Sequence, residues 1–136
     1  MIVLDTNVVI AILNKSSASI RSEVDRRTAR KERLALSSIS VFELYFGVEK
    51  SRKRTINLES LRELLDGPLI TIAFDDEDAA IAGDIRATLE VAGSPIGPYD
   101  LLIAAQAVRH DATLVTANVR EFSRVPGLKV EDWGAD

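Results

Sequence analysis

Met1-Ile2-Val3-Leu4-Asp5-Thr6-Asn7-Val8-Val9-Ile10 opens the chain. Its apolar run shows no polar alternation and ends abruptly on an aspartate. A strand wetted on one face alternates; a strand buried on both faces, as in a parallel sheet covered by helices, reads as a continuous apolar run. Met1 to Leu4 therefore predicts a buried strand, with a helix following from about Asn7 to Leu13. An acid at the end of such a strand lies where open α/β sheets gather their functional groups.

The same alternation of short apolar runs and helical stretches continues outward. Ser19 to Arg33 is charged and helix-compatible, and Leu34 to Ser37 is a second strand. Ser38 to Lys50 has helical spacing through Ile39, Phe42 and Phe46. A helix over Asn57 to Leu65 is ended by Gly67-Pro68, and Leu69 to Ala73 supplies a third strand. The acids Asp75 to Asp78 favour the positive end of a helix that runs to about Val91, where Gly93 closes it. After a loop over Ser94 to Gly97, Pro98 suits the first turn of a helix reaching His110. Ala112 to Thr116 and Leu128 to Val130 complete a set of five strands. Strands alternating with helices imply a three-layer α/β/α domain around a central, mostly parallel sheet of four to five strands. A chain of 136 residues fits one domain, taken as 1–136, with no repeat and no linker.

Composition narrows the chemistry. The chain has no cysteine and one histidine, so thiolate sites and imidazole clusters are excluded and any chemistry rests on carboxylates. No stretch approaches the roughly 20 apolar residues that span a bilayer, and no basic region stands ahead of a long apolar segment in the opening residues. A cytoplasmic location without membrane contact is expected. The net charge of −4 hides an asymmetry: residues 1–54 hold 11 Lys/Arg against 6 Asp/Glu, and residues 55–136 hold 6 against 15. Basic residues crowd into Arg26-Arg27-x-x-Arg30-Lys31-x-Arg33 and Lys50-x-Arg52-Lys53-Arg54. Such clusters either track phosphates or solvate a helix face.

Three acids stand where the sheet would bring them together. Asp5 ends strand one, Glu43 lies one turn into the helix after strand two, and Asp100 lies in the first turn of the helix before strand four. Carboxylate oxygens are hard ligands suited to magnesium, which keeps several waters and also binds phosphate oxygens. Convergent acids thus point to phosphodiester chemistry. Each also has an ordinary reading. Asp5 suits an N-cap, Ser40-x-x-Glu43 matches a capping box, and Asp100 complements a helix dipole. His110 reads as a helix-end residue, Trp133 as packing, Asp84 as solvent-facing, and Asp75 to Asp78 as helix N-terminal acids outside any site.

Four stretches taken in order resemble a known family. Val3-Leu4-Asp5-Thr6-Asn7, Ser37-x-x-Ser40-x-x-Glu43-Leu44-x-x-Gly47, Gly97-Pro98-Tyr99-Asp100-x-x-Ile103-Ala104-Ala105 and Leu114-Val115-Thr116-x-Asn118-x-x-Glu121-Phe122 are similar to the successive signatures of PIN-domain VapC toxins. The resemblance covers nearly the whole chain. It implies a magnesium- or manganese-dependent endoribonuclease toxin with Asp5 and Asp100 as metal ligands. Glu43 would complete the pocket through a water, and Thr6, Asn7 and Thr116 would orient the carboxylates. At the position of Asn118 many PIN domains carry a fourth acid; here an amide stands, which puts a second metal ion in doubt. The plain reading of Asn118 is a turn residue.

The resemblance also implies an RNA substrate, a VapB-type antitoxin and a homodimer. Val41, Leu44, Tyr45 and Val48 are candidates to line the antitoxin groove, though their helical spacing equally suits core. Gly97 to Asp100 and the run from Arg120 through Leu128 to Trp133 are similar to the branch that cuts initiator tRNA in its anticodon stem-loop. Rival readings are a catalytically silent PIN-like module that binds RNA or antitoxin, and an α/β phosphatase. A dehalogenase-type phosphatase would want an acid two residues after Asp5, where this chain has Asn7.

Overall fold

The computed structural model describes residues 1–134, so the last two residues of the expected 1–136 domain lie outside it. Five strands, β1 (Ile2–Leu4), β2 (Leu34–Ser37), β3 (Ile70–Ile72), β4 (Thr113–Val115) and β5 (Lys129–Glu131), form one sheet in the order β3-β2-β1-β4-β5. Every neighbouring pair is parallel, with Ile2 opposite Leu34 on one side and Thr113 on the other. β1 is central. Its three residues are all buried, which is why the opening run carries no polar alternation.

Successive side chains of a strand point to opposite faces, and here they feed two cores. Ile2 and Leu4 join Leu34, Leu36, Leu61 and Val115 on one face. Val3 joins Leu114, Ile103, Ala104 and Phe122 on the other. Helices α1 (Thr6–Asn14), α2 (Ala18–Ala29), α3 (Ser38–Lys50) and α4 (Arg54–Leu65) supply the first core. Helices α5 (Asp76–Val91), α6 (Pro98–Arg109) and the short α7 (Val119–Phe122) cover the second. The expected α/β/α layering is therefore present. The chain winds outward from β1 through β2 to β3, then crosses back to β4 on the far side of β1. That reversal opens a crevice between the carboxyl ends of β1 and β4, the position at which such sheets bind ligands.

Several boundaries differ from the sequence reading for local reasons. α2 stops at Ala29 instead of continuing to Arg33, and Lys31 takes a left-handed φ of 61° without a glycine to announce it. α4 starts a turn earlier than Asn57, and its N-cap position, Lys53, makes no side-chain cap bond that could have marked the start. β5 is shifted by one residue, and α7 was not anticipated. Lys15, with φ 52°, ends α1 in the conformation that glycine usually supplies.

The acids at the start of α5 are structural, but one is more than a dipole partner. Asp75 accepts from the amides of Glu77 and Asp78, and Asp78 returns a bond to the Asp75 amide, a reciprocal capping box. Asp78 is fully buried and pairs at 3.2 Å with Arg109 of α6, which also meets Asp75 at 2.6 Å and Glu77 at 3.1 Å. Asp84 and His110 are exposed. Trp133 is buried, donates to Glu131 Oε2 at 2.9 Å and lies under the Arg27 guanidinium, so it packs the chain end onto α2. No helix among the described residues is long and apolar enough to cross a membrane.

Candidate active site

Asp5 follows directly on β1 and is almost fully buried. It is the N-cap of α1, and its two oxygens divide the work: Oδ1 accepts from the Thr6 amide at 2.8 Å, and Oδ2 accepts from the Thr116 hydroxyl at 2.9 Å. The capping role and a site role therefore coexist. Thr116, fully buried just past β4, also receives the Asn118 amide at 3.0 Å on the same hydroxyl oxygen. The crevice between β1 and β4 is thus bridged by a side-chain bond from Thr116 to Asp5. Burial pushes the Asp5 carboxyl above its usual range; the Thr116 and Thr6 bonds oppose that, and the charges of Glu43 and Glu121 add to it.

Glu43 arrives from α3. The helix is capped by Ser37, whose hydroxyl accepts from the Ile39 amide, so Ser40-x-x-Glu43 is not a capping box here. Ser40 is buried inside the first turns, and the Thr6 hydroxyl lies 2.7 Å from Glu43 Oε1 and 2.8 Å from Ser40 Oγ. A hydroxyl has one proton to donate, and the carboxylate is the stronger acceptor. Thr6 therefore links the two acids, with its amide on Asp5 and its hydroxyl on Glu43. Asn7 is not drawn in: it is exposed and makes no side-chain hydrogen bond among the described residues.

Asp100 sits in the first turn of α6 after Gly97-Pro98. A Cβ at position 97 would stand 3.2 Å from Asp100 Oδ2, tighter than ordinary contact, so glycine lets the carboxylate fold back over the helix start. No hydrogen-bond donor among the described residues offsets its burial, and Asp5, Glu121 and Glu43 all repel its charge. Burial first, then those neighbours, push the Asp100 carboxyl up to about 6.

Glu121, which the sequence reading quoted in its fourth stretch without giving it a site role, also lies here. It lies on α7, where Oε1 accepts from the Gly97 amide at 2.8 Å and Oε2 accepts from the Asn118 side-chain amide at 2.6 Å. The Gly97 amide, followed by Asn118, holds its carboxyl below the usual range. Asn118 thus spends its amide on anchoring Glu121, and the charge that its own position lacks is supplied three residues later. A glutamate one helical turn beyond Asn118 was the available signal.

The site thereby places Asp5 and Asp100 within reach of each other's charge and of Glu43 and Glu121, and Asp100 has no hydrogen-bond partner among the described residues. Such a set of hard oxygen donors fits a divalent cation. Among the described residues, no three acids close round a single point as a ready ligand shell. Carboxylate oxygens of this kind are ligands that hard divalent cations take, in part through bound water.

Beside Glu43 a cleft of about 240 Å³ runs between α1, α3 and α4, lined by Ile10, Leu13, Leu44 and Val48 among others. Of the candidate groove residues, Leu44 and Val48 form part of its wall, Val41 packs against the core, and Tyr45 is exposed. A larger cavity of about 580 Å³ opens near the starts of β2 and β3, at the other end of the sheet from Asp5. Its walls include Ile12, Val24, Leu34 and Leu69, and it shares no residue with the acid cluster.

Comparison with known proteins gives a consistent picture. The family profile of the PIN domain matches residues 2–128. The chain is 38% identical over 130 residues to the tRNA(fMet)-specific endonuclease VapC of Salmonella typhimurium strain LT2, covering 96% of each. It is 39% identical over 133 residues to the protein of the same description from Shigella flexneri, again covering 96% of each. Its structure superposes with a TM-score of 0.91 and 39% identity on a chain in the crystal structure of VapBC2 from Rickettsia felis bound to a promoter DNA fragment, covering 98% of this chain and 99% of that one.

Proposed function

The chain belongs to the PIN-domain family, among its VapC ribonuclease toxins, and on that premise we propose how its acids work and on what. It is an endoribonuclease toxin that hydrolyses RNA phosphodiesters with Mg2+, for which Mn2+ can substitute, and is neutralised by a VapB-type antitoxin. The observation that carries the reading is the convergence of Asp5, Glu43, Asp100 and Glu121 at the β1/β4 crevice, with a hydrogen-bond framework that orients three of them and leaves Asp100 free.

Asp5 and Asp100 are the residues that would hold the cation. Thr6 and Thr116 fix the Asp5 oxygens and so decide which lone pairs face the crevice. Glu43, held by Thr6, is placed to take a proton from water or to accept a hydrogen bond from one. Glu121, tied to Gly97 and Asn118, adds negative charge beside Asp100 and keeps the loop before α6 against α7. A bound divalent cation offsets phosphate charge and makes water more acidic. Without it the clustered carboxylates would repel a phosphate.

The substrate we assign is initiator tRNA, cut in the anticodon stem-loop, since the curated relatives from Salmonella and Shigella are tRNA(fMet)-specific endonucleases of nearly the same length. A tRNA substrate places the protein in the cytoplasm. The cleft between α1, α3 and α4 is a surface on which an antitoxin segment can lie within reach of Glu43. Self-association into a homodimer belongs to the same reading and is checked by sedimentation of the free protein. Neither the silent module nor the phosphatase has an observation of its own in this arrangement. The test is mapping of RNA 5′ ends after induction: cuts at one position of initiator tRNA support the assignment, and cuts confined to ribosomal RNA overturn it.

A further inference from the structure

Both tyrosines and two of the four phenylalanines of this chain stand exposed in one neighbourhood: Phe42 at 53%, Tyr45 at 38%, Phe46 at 56% and Tyr99 at 47%. Large apolar side chains gathered on the surface mark an interaction site more often than chance exposure. Phe42 immediately precedes Glu43, and Tyr99 immediately precedes Asp100. Their rings meet edge to face at 5.7 Å, so this pair joins the two helices that deliver those acids. From Phe42 the stripe continues down one face of α3 at helical spacing, through Phe46 to Lys50, whose ammonium lies 5.0 Å from the Phe46 ring. At a rise of 1.5 Å per residue, Phe42 and Lys50 are about 12 Å apart along the axis, a span of a few nucleotides.

The two basic clusters part company in the folded molecule. Arg26 and Arg27 are committed to Glu23, Glu32 and Glu131. Arg30, Lys31 and Arg33 precede β2 and so lie toward the end of the sheet remote from the acids. In the second cluster Arg54 pairs with Glu49, whereas Lys50, Arg52 and Lys53 are exposed and form no ion pair among the described residues. The aromatic stripe therefore leads from the hydrolytic acids to unpaired cations. A chain of phosphates that crosses the acids must leave along one of their borders. This border offers ring faces to bases and then positive charge to phosphates, the combination that binds single-stranded RNA with little sequence preference.

We propose that the Phe42–Tyr99 pair and Phe46 form a stacking platform for unpaired bases next to the scissile phosphate, with Lys50, Arg52 and Lys53 holding the backbone beyond. The proposal rests on the ribonuclease reading and makes these side chains positioning residues; the chemistry stays with the carboxylates.

The test separates binding from cleavage. Asp100→Asn protein in EDTA is titrated into a fluorescein-labelled single-stranded oligoribonucleotide, and into one carrying 2-aminopurine, alone and with Phe42→Leu, Phe46→Leu or Tyr99→Leu added. Each loss of a ring is expected to weaken binding roughly 5- to 100-fold, the range for one base–aromatic stack. 2-Aminopurine emission is expected to be quenched by the platform, and Phe42→Trp to restore both signals. Lys53→Gln is expected to lower the slope of log K against log salt by about 0.7, one phosphate contact on a single strand. Unchanged RNA affinity in all three Leu variants overturns the proposal. If those variants instead alter the sedimentation coefficient of the free protein, the stripe is the seat of a second copy; if they abolish only antitoxin binding, it is the antitoxin's seat. The nuclease reading is judged separately, by whether wild-type protein cuts RNA with Mg2+, so either account can fail alone.

Discussion

Replacing Asp100 by asparagine removes a charge that the folded protein holds against its own interest. The carboxyl has an ordinary value of 3.8 and is pushed up to about 6 in the fold. Between those values the native state binds more protons than the unfolded state, so stability falls as pH rises through the window and stays reduced above it. Two units at about 1.4 kcal/mol each bound the effect near 3 kcal/mol. Asp100 is only half-buried, and screening by water reduces this to about 1–2 kcal/mol. Asp100→Asn should therefore stabilise the metal-free protein at pH 7.5 by about that amount, raising Tm by roughly 3–8 °C for a chain of this size. The gain should shrink toward zero near pH 4, where wild-type Asp100 is protonated. Urea or thermal unfolding in EDTA at both pH values reads it directly. A variant no more stable than wild type at pH 7.5, or a gap of the same size at pH 4, would refute the reasoning that mutual repulsion and burial load this site.

Other substitutions report on separate parts of the account. Thr116→Val deletes the donor that offsets the burial of Asp5, so the acid limb of the cleavage pH profile should move to higher pH, with activity down roughly 10-fold; an unmoved profile counts against the bridge. Glu121→Gln should raise the Mg2+ concentration needed for half-maximal cleavage by about 10-fold, measured by metal titration, and an unchanged midpoint would remove Glu121 from the site. Arg109→Met strands the buried Asp78 charge and should destabilise the fold by about 3 kcal/mol in urea unfolding, with cleavage per folded molecule unchanged.

Much of the fold was legible because its strands β1 and β2 are buried on both faces. Leu34–Ser37 and Ser38–Lys50 were bounded correctly, since an unbroken apolar run passes there into a helical repeat. Asp5, Glu43 and Asp100 were legible from their places after strand one, after strand two and at the start of α6. Glu121 was not, because α7 spans only Val119–Phe122 and so has no readable periodicity. Ser40-x-x-Glu43 misled in the other direction: the motif fits a capping box, but Ser37 takes the cap and Glu43 accepts instead from the Thr6 hydroxyl of the neighbouring α1. Pairings over long sequence distances, such as Asp78 with Arg109 or Arg27 with Glu131, depend on how helices and strands pack together and left no local trace. For that reason the sequence left open whether the basic run from Arg26 to Arg33 tracks phosphates or solvates a helix face, while its leading arginines are engaged with Glu23, Glu32 and Glu131.

The central claim is tested most directly by incubating purified, antitoxin-free protein with total bacterial RNA in Mg2+, in Mn2+ and in EDTA, beside Asp5→Asn and Asp100→Asn. The account predicts discrete cuts in tRNA with either metal, none in EDTA, and none from either variant although both remain folded. Folded wild-type protein that cuts no RNA with either metal, or cuts that persist in EDTA or in both variants, would contradict it.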